Sequence, residues 1–246
     1  AWGEVARRLA HEIKNPLTPI QLSAERMRRK YLTTMDKEEA QILDRATHTI
    51  VQQVEAMKEM VNAFSDYARA PDMEFSSFDI AKLANEIVDL YRAQENEVSI
   101  SLTSDSAISL VEGDIGRVRQ IFHNLIRNAV EALEGTTGGQ IDVQIGAAEI
   151  DDIKMIQIRV EDNGPGFKTE SVNQIFDPYV TTKPKGTGLG LAIVKKLVEE
   201  HIGTIRAKNI SNGGAMINIY LPLNESSREQ MIAKVPGRSE TRRGQV

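Results

Sequence analysis

The sequence predicts an α-helical domain followed by an α/β domain, and three observations carry that prediction. Apolar residues recur in steps of three and four between residues 5 and 68; a polar break splits them into two runs; and beyond Pro71 short alternating stretches are interleaved with helical ones. The 246 residues, 41% hydrophobic and 26% charged, suffice for one large globular domain or two ordinary ones.

In the first run Val5, Leu9, Ile13, Leu17, Ile20, Ala24, Met27 and Tyr31 form one helical stripe. In the second, Leu43, Ala46, Ile50, Val54, Met57, Val61, Phe64 and Ala68 repeat the spacing after Thr33, Thr34, Met35 and Asp36. The pair predicts an antiparallel hairpin. Each stripe is too wide for a single neighbour, so the expected solution is a homodimer that forms a four-helix bundle. The alternative is a hairpin packed on the rest of its own chain. Ala70-Pro71-Asp72 ends the pattern, because Pro restricts the residue before it, and the first domain is set at residues 1–70.

Helices are then expected over 80–92, 114–133 and 189–201, and strands over 98–102, 107–111, 141–145, 155–160, 204–207 and 215–221. This order predicts an α/β sandwich over residues 71–224, with helices on one face of a mixed sheet. Residues 225–246 are polar, lack periodicity and are read as a mobile tail.

Composition narrows the function. Lys and Arg total 30 against 35 Asp and Glu, for a net charge of -5, so no nucleic-acid partner is expected. With no cysteine there is no disulfide, thiolate metal site or cysteine nucleophile, and the chemistry must come from carboxylates, amides, Lys or the four His. No window reaches about 18 consecutive apolar residues, so this fragment is expected to be cytoplasmic, without membrane contact. Because it opens on Ala1 rather than Met, it is read as part of something longer, with a membrane anchor upstream.

Four constellations carry chemistry. His11 lies two residues from both Leu9 and Ile13, so it points roughly 160° to 200° away from the stripe. Glu12 is adjacent and Asn15 one turn on, and Pro16 removes the hydrogen bond to the Glu12 carbonyl. An exposed imidazole beside a carboxylate over a loosened turn fits a nucleophile whose proton passes to Glu12. His48, His123 and His201 are read as solvated or satisfied structural side chains. Asp162-Asn163-Gly164-Pro165-Gly166-Phe167 follows a strand and reads as a ligand-binding turn, although Asp-Asn-Gly also makes ordinary turns. Lys183-Pro184-Lys185-Gly186-Thr187-Gly188-Leu189-Gly190-Leu191 is a glycine-rich loop entering a helix, suited to phosphates but not in the P-loop pattern. Asn124 and Asn128 share one helix face and could hold a hydrated cation through their amide oxygens.

Taken in chain order, the four resemble the sensor histidine kinases of two-component signalling. His11-Glu12-Ile13-Lys14-Asn15-Pro16 is similar to the family's H-box, Asn124-Leu125-Ile126-Arg127-Asn128-Ala129 to its N-box, and Asp162 to Gly166 to its first glycine box. Phe176-Asp177-Pro178-Tyr179 resembles the F-box and Gly186 to Leu191 the second glycine box. The first 31 residues resemble the nitrogen-regulation sensors of the NtrY type.

The resemblance implies a dimerisation and histidine-phosphotransfer domain followed by an ATP-binding domain of the Bergerat type. ATP is then expected between the N-box helix and a lid over 177–187. Asp162 would accept from the adenine amine in a pocket shaped by Gly164 and Gly166, and Asn128, supported by Asn124, would hold Mg²⁺. Lys183 with the loop through Gly186, Thr187, Gly188, Leu189 and Gly190 would hold the phosphates. Glu131 stands where many relatives carry Lys, and Lys183 is the candidate replacement. His11 would be phosphorylated with Glu12 as general base, and the phosphoryl group passed to a receiver-domain aspartate of a response regulator, here of the NtrX type. The resemblance also associates Asn15 with a phosphatase activity on that regulator, and places the full-length protein in a bacterial inner membrane. The rival is an ATP-driven conformational clamp on the same nucleotide fold, for which the H-box has no use.

Overall fold

The computed structural model describes residues 2–68, 73–94, 97–105, 110–168, 172–181, 183, 187–211 and 213–234. By internal contacts the chain divides into two compact units, residues 1–71 with 181–189 and residues 72–180 with 190–246.

The first unit contains α1 (Trp2–Tyr31) and α2 (Lys37–Ala68), joined by a short turn. Asp36 caps α2: its Oδ1 accepts from the Glu38 and Glu39 backbone N–H groups, each at 3.0 Å. Glu38 and Glu39 in the first turn of α2, and Arg28, Arg29 and Lys30 in the last turn of α1, complement the two helix dipoles. Arg28 pairs with Asp44 at 2.6 Å and Lys58 donates to Gln21 at 2.6 Å, which fixes an antiparallel hairpin.

The apolar stripes resolve into heptad rows. Ala10, Leu17 and Ala24 on α1 and Thr47, Val54 and Val61 on α2 are buried within the hairpin. Thr47 is satisfied there, its hydroxyl donating to the Leu43 carbonyl at 2.6 Å. A second row, Ile13, Ile20 and Met27 on α1 with Ile50 and Met57 on α2, stays exposed. The expected stripes merged the two rows and left out Ala10 and Thr47, because a three-and-four spacing does not say which flank meets which neighbour.

In the second unit β1 (Ser76–Phe78) pairs antiparallel with β3 (Val111–Gly113). The main sheet holds β2 (Val98–Ser104), β4 (Gly139–Ile150), β5 (Ile153–Asp162), β6 (Thr204–Asn209) and β7 (Ala215–Pro222) in the order β2-β4-β5-β7-β6. Only β2 and β4 run parallel, so the sheet is mixed as predicted. Of the strand expected over 107–111, residues 107–109 lie outside the described residues, and Val111 belongs to β3.

The register sets one apolar face. Val143, Val160 and Ile217 line up across three strands, as do Ile145, Ile158 and Ile219. Packed with this face are α3 (Ile80–Gln94), α4 (Ile115–Ala132) and α5 (Gly190–Glu200), which bury Ile87, Ile121, Phe122, Leu125, Ile126 and Val194. On the opposite face Gln157 bridges Asn218 at 3.1 Å and the Tyr220 hydroxyl at 3.2 Å.

The bounds of α4 follow from its caps. Asp114 Oδ1 accepts from the Arg117 N–H at 3.1 Å, and the Leu133 N–H returns to the Ala129 and Val130 carbonyls. At its C-terminus α5 closes in a Schellman turn, Gly203 N–H to Val198 O at 2.9 Å and Ile202 N–H to Glu199 O at 3.0 Å. Ile202 occupies the left-handed position of that turn at φ 60°.

The expected tail begins instead with α6 (Glu225–Lys234), while residues 235–246 lie outside the described residues. Without an amphipathic stripe, this helix is held by point contacts. Asn224 Oδ1 caps it through the Ser227 N–H at 3.0 Å, and the Glu225 N–H donates to Glu112 at 2.7 Å. The Arg228 guanidinium lies 3.9 Å over the Phe75 ring, and Lys234 donates to the Asp151 carbonyl at 2.6 Å. No helix among the described residues is long and apolar enough to cross a membrane.

Candidate functional site

On α1 the structure places His11, Glu12 and Asn15 all at the exposed surface, away from the row that meets α2. The helix continues through Pro16 and Pro19, so the turn predicted to loosen keeps its helical path. What changes is the hydrogen bonding. Proline supplies no N–H to the carbonyls of Glu12 and Asn15, four residues before each ring. Glu12 is engaged in a way the sequence reading missed, since its Oε1 accepts from Arg8 Nε at 2.9 Å. The i,i+4 spacing of Arg8 and Glu12 was the available signal. Both side chains are well exposed, so the pair orients Glu12 more than it stabilises the helix.

The other constellations meet around α4. Asn124 is buried and Asn128 half-buried. Gly190, the first residue of α5, faces both: a Cβ built on it would stand 3.5 Å from Asn124 Oδ1 and 3.5 Å from both Asn128 amide atoms. The N-box amides therefore look toward a helix N-terminus, where backbone N–H groups point outward and anions are favoured. The two amides are not equivalent. Asn124 donates to the Gln120 carbonyl at 3.0 Å, and its Oδ1 accepts from Arg127 at 3.0 Å, so its oxygen is held inside the helix. Arg127 was not singled out from the sequence, although its spacing of three from Asn124 allowed it. Glu131 stands 3.8 Å from Arg127, which gives this position an ion-pair role.

The first glycine box sits at the C-terminal end of α4, one turn beyond Asn128. Gly164 is buried, and a Cβ there would stand 3.3 Å from the Ala132 carbonyl oxygen and 3.5 Å from Leu133. Asp162, at the end of β5, is half-buried and accepts from the Gly164 N–H at 2.9 Å. Gly166 adopts φ 73°, the left-handed region that favours glycine. Asn163, named in the sequence only as part of that turn, accepts from the Gln140 N–H at 2.7 Å and donates to the Gly138 carbonyl at 3.0 Å.

Of the lid residues, the Lys183 N–H donates to Thr181 Oγ1 at 3.1 Å and the Leu189 N–H to Thr187 Oγ1 at 3.4 Å. Gly188 adopts φ 65°, and Gly186 lies outside the described residues.

The remaining histidines are accounted for. His201 is buried, its Nδ1–H donating to the Leu197 carbonyl at 2.7 Å and its Nε2 accepting from the Asp114 N–H at 3.2 Å. These partners define the neutral ring, and burial lowers its pKa. It ties the C-terminus of α5 to the cap of α4. Beside it, Arg117 pairs with Glu200. His123 packs beside Tyr91, with ring centroids 5.9 Å apart; burial, then Arg119 and Arg127, lowers its pKa. His48 is exposed.

An exposed histidine beside a carboxylate in one unit, and two amides lying against a glycine at a helix N-terminus in the other, fit a phosphoacceptor helix and a nucleotide-binding fold. The family model described as the His Kinase A (phospho-acceptor) domain matches residues 1–72, and that described as Histidine kinase-, DNA gyrase B-, and HSP90-like ATPase matches residues 113–225. The catalytic domain of histidine kinase ThkA is 30% identical, with a TM-score of 0.56 over 63% of this chain and 99% of that one. The chain belongs to the sensor histidine kinases. Among its curated relatives, the nitrogen regulation protein NtrY of Azorhizobium caulinodans is 43% identical over 90% of this chain and 29% of its own length. The chain thus spans less than a third of that relative. A crystal structure of ThkA in complex with the response regulator protein TrrA is 27% identical, with a TM-score of 0.63 over 90% of this chain and 61% of that one.

Proposed function

We propose that this chain, as a homodimer, uses ATP to phosphorylate His11 and passes the phosphoryl group to an aspartate on the receiver domain of a response regulator. The observation that carries the reading is the convergence of Asn124, Asn128 and Gly190 on one helix N-terminus, in a chain whose other unit exposes His11 beside Glu12.

A ring nitrogen of His11 attacks the γ-phosphorus, the bond to the β-phosphate oxygen breaks, ADP leaves, and the imidazole proton passes to Glu12. Arg8, paired with Glu12 at 2.9 Å, orients that carboxylate on the His11 turn. The phosphohistidine then yields its phosphoryl group to the receiver carboxylate, and the P–N bond breaks as the acyl phosphate forms.

On the nucleotide side Asp162 accepts from the adenine amine, with Gly164 and Gly166 keeping the loop thin enough for a base to approach. Lys183 with the loop through Gly186, Thr187, Gly188, Leu189 and Gly190 receives the phosphates. The half-buried Asn128, lying against the side-chain-free Gly190, fits a Mg²⁺ site through its amide oxygen; Asn124 supports it from behind, its own oxygen being held by Arg127. When bound, Mg²⁺ supplies charge neutralisation on the phosphates.

The likeness to NtrY and the ThkA–TrrA complex support the receiver as partner, and we take it to be of the NtrX type in a nitrogen-responsive circuit. The H-box argues against the rival clamp, which needs no exposed His-Glu pair.

The test is incubation with γ-labelled ATP, Mg²⁺ and a panel of receiver domains. Acid-labile label appears on wild-type protein and moves to one receiver. His11→Gln binds nucleotide but takes no label, and retained label on it would refute the acceptor. Asn128→Ala loses Mg²⁺-dependent affinity; identical titrations with and without Mg²⁺ would refute that role. Asn15 also supports a phosphatase step. Exposed and one turn from His11, it can orient a water but cannot act as a base. Asn15→Ala is expected to keep autophosphorylation and to lengthen the lifetime of the receiver phosphate, and an unchanged lifetime would remove the phosphatase role.

A further inference from the structure

The loop from Asp162 to Phe167 is pinned from two sides by side-chain amides. Asn163 holds it to the start of β4, as described above. On the other side Asn209, the last residue of β6, faces Phe167 across 42 positions of sequence: its Oδ1 accepts from the Phe167 N–H at 2.7 Å and its Nδ2 donates to the Phe167 carbonyl at 3.0 Å. The side-chain amide thus supplies the paired donor and acceptor that a neighbouring strand would offer.

The turn that follows Asn209 closes on the same loop. The Ile210 N–H donates to the Gly214 carbonyl at 3.0 Å, and Gly214 adopts φ 110°. A Cβ on Gly214 would stand 2.0 Å from the Asp162 carbonyl oxygen, and one on Gly166 would stand 2.8 Å from Asn209 Oδ1 and 3.1 Å from the Gly214 oxygen. The loop is therefore gripped at Asp162 by Gly214 and at Phe167 by Asn209, with glycine required at 214 and 166 where the two segments meet. Between those grips the Gly164 N–H holds the Asp162 carboxylate at 2.9 Å, so the direction of the carboxylate follows the path of the loop.

We propose that Asn209 is a positioning residue for base recognition, fixing the loop that aims Asp162 at the exocyclic amine of adenine. This rests on the reading of Asp162 as the adenine acceptor. Asn209→Ala removes both bonds to Phe167 without touching nucleotide. Asn209→Asp keeps the acceptor for the Phe167 N–H but sets an oxygen against the Phe167 carbonyl, and it falls between wild type and alanine.

The experiment measures affinities of the full chain for ATP and for purine riboside triphosphate, which lacks the amine, in wild type, Asn209→Ala, Asn209→Asp and Asp162→Ala. With two backbone bonds lost, Asn209→Ala is expected to weaken ATP roughly tenfold. The amine-free nucleotide should change by no more than about twofold, because the coupling runs through the amine contact. Transfer from prelabelled His11 to a receiver, which needs no nucleotide, stays at the wild-type rate. Equal weakening of both nucleotides would mark Asn209 as merely structural and overturn the inference. So would unchanged ATP affinity in Asn209→Ala while Asp162→Ala loses it. Unchanged ATP affinity in Asp162→Ala would bring down the underlying reading of Asp162.

Discussion

The helical hairpin leaves Ile13, Ile20, Met27, Ile50 and Met57 exposed, whereas the α/β unit encloses Ile80, Ile87, Ile121, Phe122, Leu125, Ile126, Ile141 and Ile158 almost completely. Both units rely on amphipathic helices. They differ in layers. A sheet with helices against one face closes a core within one chain, while two helices share only one row of contacts. The hairpin thus leaves a row that its own two helices do not cover, and His11, the acceptor proposed above, stands on that half. The nucleotide-binding half is self-sufficient. In the proposed homodimer, dimerisation would therefore bear directly on the helix that carries His11, and much less on the α/β unit.

The most disruptive way to break this contrast is to charge the open row. Ile13→Asp with Met57→Asp is expected to leave a monomer with a largely unfolded hairpin, because each charge would otherwise be buried without a partner. Sedimentation and helical circular dichroism check this, and nucleotide affinity should stay at wild type. A dimer that survives both charges would show that the open row is not the interface.

Within the α/β unit, Phe122→Ala is expected to cost about 3–5 kcal/mol of unfolding free energy by emptying a closed core. Denaturant titration read on this unit alone would measure it, and dimerisation should be unaffected.

A third probe uses the buried His201. The unfolded chain takes up a proton near the ordinary pKa of 6.5, while burial keeps the folded ring neutral to lower pH. Its contribution is therefore complete above about 6.5 and is lost as pH falls from there toward the lowered folded value. Thermal melts across that range should show the α/β unit losing stability, and His201→Gln should flatten the dependence.

The smallest effect is a gain. Ile202 holds a left-handed backbone at φ 60°, where a β-branched side chain is strained by roughly 1–2 kcal/mol. Ile202→Gly is expected to raise the midpoint of the α/β unit slightly. A fall would mean that the side-chain packing of Ile202 outweighs the strain.

Much of the fold was legible because its determinants are local. The helix predicted over 114–133 is Ile115–Ala132 with caps at Asp114 and Leu133, since an N-cap carboxylate and a 3.6-residue period both act within a few positions. The strands of the main sheet were found, though each ran longer than its alternating centre. The short β1 was missed, because three residues carry no period, and α6 was missed because contacts with Phe75, Glu112 and Asp151 hold it in place of a stripe.

By itself the sequence determined the two-part architecture, the order of the motifs, the exposure of His11 and the shared face of Asn124 and Asn128. These follow from helical and strand periods, which are properties of neighbouring residues. Tertiary structure alone decided which heptad row is buried, that Asn124 gives its oxygen to Arg127 while lying against Gly190, and that Asn209 grips Phe167. The last two pair residues 66 and 42 positions apart, or turn on which of two neighbours wins a single acceptor. No local period encodes such choices: they are settled when the sheet register and helix packing bring distant backbones within hydrogen-bonding distance.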